Sequence, residues 1–167
     1  GGNAARRFCD RVFPESGVGA KPYKPPVTRA INFASEAAAV NGSTWGWINV
    51  WATWCEPCRE EMRLLKNWSQ VLKQEGLAVQ LDLLSIDADD AESQLRQAVA
   101  SGLPGRVSWI QSDAEFKAMQ EYLEIPLSAA IPIHVLVNPE SKVRCIRIGA
   151  VVEDNYGSVR EIFKNTF

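Results

Sequence analysis

The chain has 167 residues, 46% hydrophobic and 23% charged, with 18 basic groups against 20 acidic ones and a formal net charge of −2 at pH 7. That length makes one ordinary globular domain with a sizeable core, and so even a charge balance leaves no basic excess to hold a phosphate backbone, so no nucleic-acid partner is expected. The longest uncharged stretch, Ala37 to Cys55, is broken by Asn41, Gly42, Ser43, Thr44, Gly46, Asn49 and Thr53 and does not read as a membrane span, while His134, the single histidine, excludes zinc sites that need two imidazoles.

The chain opens Gly-Gly-Asn-Ala-Ala-Arg-Arg, without an initiator methionine or an apolar signal core, and reads as a mature or trimmed chain whose targeting segment is absent from this sequence. Residues 1–32 are expected to be an extended arm, with Pro14, Pro22, Pro25 and Pro26 among several glycines. A domain follows over residues 33–167. Ser35-Glu36-Ala-Ala-Ala predicts a short capped helix stopped by Asn41-Gly42, and Trp45 to Ala52 a buried strand. Met62, Leu65, Trp68 and Leu72 recur at helical spacing up to Gly76, a suitable C-terminal cap. Leu77 to Ile86 predicts a central strand, Asp87 to Asp90 a polar turn, Glu92 to Ala100 a helix, and Val107 to Ile110 a short strand. Ser112-x-x-Glu115 is a capping box that opens a helix through about Leu123. Ile133 to Val137 and Lys142 to Ile148 flank Asn138-Pro-Glu-Ser141 as a hairpin, and a last helix runs from about Asn155 to Lys164. The order predicts an α/β fold with a mixed sheet flanked by helices.

Chemistry concentrates in Trp54-Cys55-Glu56-Pro57-Cys58, between the first long strand and its helix. Cysteines at i and i+3 of a helix start share one face and are close enough for a small disulfide ring. The first of them also meets the unsatisfied N–H groups and positive end of the helix dipole, which favour the nucleophilic thiolate. Pro57 falls in the first helical turn, where its missing N–H costs nothing. Cys55 should be exposed, and Cys58 covered by the helix. Other readings of the pair are half a zinc site completed by Cys9 and Cys145, or a purely structural disulfide, which gains little from closing so short a loop. Haem attachment needs a histidine where Arg59 stands.

With Asn49-Val50-Trp51-Ala52-Thr53 before it, the motif resembles the thioredoxin-like fold, and in particular the extracytoplasmic TlpA/ResA branch of bacterial thiol–disulfide oxidoreductases. The resemblance covers about residues 33–167, with residues 88–112 as the helix–strand insertion of that branch. It implies Cys55 and Cys58 as the catalytic pair, cycling between dithiol and disulfide without metal or organic cofactor, with Trp54, Glu56 and Pro57 in support. Asn49 replaces thioredoxin's buried aspartate, as is common in the branch. Glu61, three residues beyond Cys58, corresponds to a glutamate near the active site of ResA-like proteins; as a residue, it also reads as a solvated helix glutamate beside Glu60. Pro132 in Ala130-Ile131-Pro132-Ile133 corresponds to the cis-proline that faces the cysteines, where Ile131 offers its backbone to an extended substrate.

The same resemblance implies reduction of exported protein disulfides, apocytochrome c among them, with recharging by a membrane electron donor and a periplasmic or otherwise extracytoplasmic location. A disulfide oxidase or isomerase, or a peptide-binding module with an inert disulfide, are the alternatives. His134 reads either as a proton shuttle near the thiols or as a satisfied core histidine. Trp51 or Trp54 should pack near the thiols, and Trp45, Trp47, Trp68 and Trp109 belong to the core. Cys9 and Cys145 are read as a second disulfide, tying the arm to the last strand and pointing to an oxidising compartment; two unrelated thiols are the other reading.

Overall fold

The computed structural model describes residues 2–164 and residue 167. Three long apolar runs become the middle of one seven-stranded sheet: β3 (Trp45–Trp51), β4 (Val79–Ser85) and β6 (Ile133–Val137), whose residues are almost all buried. β3 pairs parallel with β4 and antiparallel with β6. Outside these lie β5 (Arg106–Trp109), parallel to β4, and β7 (Lys142–Ile148), the antiparallel partner of β6. The β6–β7 turn closes because the Asn138 side chain accepts from the N–H groups of Glu140 and Lys142 and Ser141 takes a left-handed φ of +62°.

Alternation along the strands sorts the core onto two faces. Trp45, Trp47, Trp51, Leu81 and Leu83 meet α2 (Glu56–Gln74) through Met62, Leu65, Trp68 and Leu72, together with Leu95 of α3 (Glu92–Ala100) and Ile162 of α5 (Tyr156–Phe163). On the other face Ile48, Val50, Leu84, Ile133 and Val135 meet Met119 and Leu123 of α4 (Asp113–Leu123). Each such buried aliphatic side chain contributes about 1.5–3 kcal/mol by leaving water. Gly76 ends α2 at φ +79°, with the Leu77 N–H returning to the Leu72 carbonyl at 2.9 Å.

Three sequence expectations fail locally. The arm is not extended throughout, because residues Gly2–Phe8 form α1, which buries Ala4, Ala5 and Phe8 and packs against α5. The Ala4, Ala5, Phe8 spacing was the available signal. No helix forms at Ser35–Ala39; Ala34 sits at φ +50°, the Val107 N–H donates to Ser35 Oγ at 2.7 Å, and the Ala38 N–H donates to Gln80 Oε1 at 2.6 Å. A short alanine run has propensity but no apolar stripe to dock, and tertiary hydrogen bonds win. At α4, Ser112 Oγ accepts from the Glu115 N–H as predicted, but Glu115 turns its carboxylate to the Val27 N–H at 2.6 Å instead of closing a capping box.

After α1 the chain adds two short strands, β1 (Arg11–Val12) and β2 (Lys21–Pro22), antiparallel to β7. It then passes α4, where Lys21 and Lys24 stand 4.8 and 4.5 Å from the Tyr122 ring centroid. At the opposite edge Arg29 N–H donates to the Trp109 carbonyl at 2.9 Å, and the Val27 carbonyl accepts from the Gln111 N–H at 3.0 Å. Cys9 and Cys145 are bonded, with Cα atoms 5.5 Å apart, which ties the end of α1 to β7.

Candidate active site

β3 delivers the chain to the site and α2 carries it away. Ala52 to Trp54 make the turn, with the Cys55 N–H on the Ala52 carbonyl at 3.1 Å, and Cys55 is the N-cap of α2 in extended conformation. Its sulfur accepts from the Cys58 N–H at 3.3 Å, so an otherwise orphaned helix donor points at it, an arrangement that favours negative charge there. Glu56 and Pro57 occupy the exposed first turn. Cys55 and Cys58 form a disulfide, with Cα atoms 5.3 Å apart.

The two cysteines are unequal, though less so than the sequence implies: Cys55 is 4% exposed and Cys58 fully buried. Cys55 is covered because its sulfur faces the loop before β6, 3.8 Å from the Ile131 carbonyl oxygen. The Ile131–Pro132 peptide is cis, and Ile131 remains partly accessible while Pro132 is buried. The structure therefore brings Cys55, Cys58 and Ile131–Pro132 together. Of the two tryptophans, Trp51 packs in the apolar cluster that holds both cysteines, whereas Trp54 is 67% exposed. Trp45, Trp47, Trp68 and Trp109 are core residues.

Glu61 does not lie on the solvated helix face. It is 2% exposed, and its carboxylate receives the Asn49 Nδ2–H at 3.0 Å, the Val151 N–H at 2.9 Å and the His134 Nε2 at 3.0 Å. His134 is fully buried, and its Nδ1 receives the Trp47 Nε1–H at 2.9 Å. Strand alternation and the β3–β6 register explain the meeting. Trp47 and Asn49 point to the α2 face of β3, His134 is the cross-strand neighbour of Asn49 on β6, and Glu61 comes down from α2 one turn beyond Cys58.

Sequence reasoning missed Asp87, assigned only to a polar turn. It is buried, accepts from the Thr53 backbone N–H at 3.0 Å, and binds the hydroxyls of Thr53 and Ser85, while its own carbonyl accepts from Trp109 Nε1–H at 2.8 Å. It also missed the Trp47–His134–Glu61 connection, since residues 47, 61 and 134 share no spacing signal. A cleft of about 750 Å³, which neither cysteine lines, opens between Trp51, Trp54, Arg59 and Met62 on one side and Gln94 and Gln97 of α3 on the other. Among the described residues no group of three or more His, Cys, Asp or Glu could hold a metal ion, and no helix is long and apolar enough to cross a membrane. Cys9 and Cys145, which a zinc reading required, are bonded to each other.

No family model matches the sequence. Among curated proteins, the thiol-disulfide oxidoreductase ResA of Bacillus subtilis is 26% identical over 106 residues, 64% of this chain and 54% of that protein, so the chain spans about half the length of this relative. A thiol:disulfide interchange protein from a Bacteroides species superimposes over 88% of this chain and 91% of its own, with 18% identity and a TM-score of 0.58. The thioredoxin domain of a thiol-disulfide oxidoreductase from Bacteroides vulgatus matches over 73% and 81%, with 20% identity and a TM-score of 0.55. StoA from Bacillus subtilis matches over 72% and 83%, with 19% identity and a TM-score of 0.51. The fold is thioredoxin-like, and the ResA similarity agrees with the resemblance carried by the cysteine motif.

Proposed function

We propose that this chain is a protein thiol–disulfide oxidoreductase that cycles Cys55–Cys58 between dithiol and disulfide, acting as a reductant of exported proteins in the periplasm or another extracytoplasmic compartment. The observation that carries the reading is a cysteine pair at a helix N-terminus whose first sulfur lies 3.8 Å from the Ile131 carbonyl, beside a partly accessible backbone segment. In the dithiol form the Cys55 thiolate attacks a substrate disulfide, forming a Cys55–substrate bond and releasing one substrate thiolate, which takes a proton. Cys58 then loses its proton and attacks Cys55; the intermolecular bond breaks and the second substrate thiol leaves. Two electrons pass from the protein to the substrate, and the disulfide that remains must be reduced by a donor, for which a membrane protein is the expected source. Glu61, buried one helical turn beyond Cys58, is the acceptor placed for the Cys58 proton. Ile131 and Pro132 form the edge on which an extended substrate segment lies, as in strand addition.

The ResA similarity supports thiol–disulfide exchange. The direction as reductant, with the cysteines of apocytochrome c as a substrate to test, follows from the resemblance of the Trp54–Cys58 motif to the TlpA/ResA branch, and the Cys9–Cys145 bond supports an oxidising location. The exchange pair belongs to the chain, and this chemistry needs no other group. Acceleration of insulin reduction by dithiothreitol tests the activity, and a rate equal to dithiothreitol alone ends the proposal. The Cys55–Cys58 reduction potential tests the direction: about −250 mV or below fits a reductant, about −120 to −180 mV an oxidase or isomerase.

A further inference from the structure

We propose that His134 and Trp47 are positioning residues that hold Glu61 as the acceptor for the Cys58 proton, an inference that rests on the exchange reading above. The argument starts from hydrogen-bond direction. An indole Nε1 can only donate, so Nδ1 of His134, 2.9 Å from Trp47 Nε1, must be the bare nitrogen. The other group near Nδ1 is Asn49 Nδ2 at 3.3 Å, again a donor. With two donors on Nδ1 and no acceptor, the imidazole is neutral and carries its proton on Nε2. That proton points at Glu61, 3.0–3.1 Å away, so His134 donates and Glu61 accepts.

Glu61 thus collects three donors: Nε2–H of His134, Nδ2–H of Asn49 and the Val151 N–H. A carboxylate so placed is fixed in one orientation on the helix face that Cys58 shares. The groups that meet it are accounted for from every side. From the sheet come Asn49 and His134; Arg147, the cross-strand neighbour of His134, sends its guanidinium to the carbonyls of Phe8 and Ala150; the loop after β7 supplies the Val151 N–H; and Cys58 shares its helix. The geometry assigns Trp47 the role of setting the tautomer, and His134 the role of holding the base. The packing of Trp47 against Trp68 and Phe163 keeps the indole from turning away.

A single histidine makes the test direct. In the full chain labelled with 15N at pH 7, the one imidazole should show a proton on Nε2 and a bare Nδ1. Trp47→Phe should release that lock, giving mixed tautomers. A parental Nδ1–H form, or a ring protonated on both nitrogens, overturns the proposal.

The second readout mixes the reduced chain with dithiobis(nitrobenzoate) in a stopped-flow instrument. Attack by Cys55 releases one equivalent of the coloured thiolate, and resolution by Cys58 releases the second. In His134→Phe the first phase should be parental. The second should slow about tenfold, because a carboxylate deprived of one donor is no longer held in the orientation that receives the Cys58 proton. His134→Gln, whose amide can still donate to Glu61, should return within about threefold of the parent. A folded His134→Phe with a parental second phase overturns the proposal; if that variant does not fold, the tautomer measurement on the parent and Trp47→Phe decides. A parent chain that never releases a second equivalent sinks the exchange reading instead, so the two failures are distinct.

Discussion

Asp87 holds Thr53 by both its backbone N–H, at 3.0 Å, and its hydroxyl, two residues before Cys55. The carboxylate comes from the end of β4 and the threonine from the end of β3, so the bond joins the tips of two neighbouring parallel strands at the point where the first becomes the reactive turn. Asp87→Ala leaves the buried Ser85 hydroxyl and the half-buried donors of Thr53 without an acceptor, which should cost about 2–4 kcal/mol. Urea unfolding measures that loss, and insulin reduction should fall with it even where the variant is fully folded. Parental stability and turnover would return Asp87 to an ordinary turn residue.

Roles within the cysteine pair predict an asymmetry. Cys58→Ser removes the resolving sulfur and should accumulate covalent complexes with substrate proteins that dissolve on adding reductant. Cys55→Ser leaves only the fully buried sulfur and should trap almost nothing. Equal trapping by the two variants would reverse the assignment, and none by either would favour a structural disulfide.

The Glu61 carboxylate shares a helix face with Cys58, and negative charge there opposes a second one. Glu61→Gln should therefore move the first thiol titration of the reduced pair to lower pH, read as thiolate absorbance or alkylation rate. The shift belongs to the cysteine pair and not to one sulfur. An unmoved curve would separate Glu61 from the thiols.

The Cys9–Cys145 bond closes a loop of sequence separation 136, and cross-links of long loops restrict the unfolded chain most. Replacing both by Ala should lower stability by about 2–5 kcal/mol while leaving insulin reduction intact below the new melting point. In a Cys55→Ser, Cys58→Ser background the denatured, unreduced chain should show no free thiol; two would dissolve the bond and its support for an oxidising compartment.

Burial is the main influence on Tyr23, with the Asp82 carboxylate adding to it, and together they hold its phenol well above the ordinary value of 10. Folding therefore favours the neutral phenol. The contribution is complete below the unfolded value and is lost as pH rises beyond it, while the unfolded chain ionises and the folded one resists. Stability should fall between about pH 10 and 12, and Tyr23→Phe should flatten that fall. A variant with the parental alkaline slope would place the effect elsewhere.

The alternation of strands and helices was legible because apolar runs such as Trp45–Trp51 and the Met62, Leu65, Trp68, Leu72 stripe state both period and face. Cys55 and Cys58 were legible for another reason: their spacing is itself chemical information. Glu61 could be read two ways because the helix stripe alone does not show that a histidine lies beneath it. That histidine arrives from residue 134, and its tautomer depends on an indole at 47, a relation set only when β3 and β6 pair in register. Asp87 looked like turn composition because its partner, Thr53, is 34 residues away. The failed Ser35–Ala39 helix has the same cause in reverse, since its competitors, Gln80 and Val107, are distant in sequence.

The path of the N-terminal arm has a consequence for how the protein meets other chains. A sheet ends in two rows of unpaired main-chain groups, and each is a template on which any extended peptide can grow. Here one segment guards both: β1 and β2 occupy the free side of β7, and residues 27–29 occupy the free side of β5. Strand growth on β7 and on the end of β5 is obstructed by these pairings, which on the proposed exchange role leaves the backbone at Ile131, beside Cys55, as the place where a visiting segment would pair. A thiol exchanger of the proposed kind would meet such peptides as substrates. An arm that covers the sheet's flanks would let it hold one at the sulfur without becoming the seed on which it aggregates.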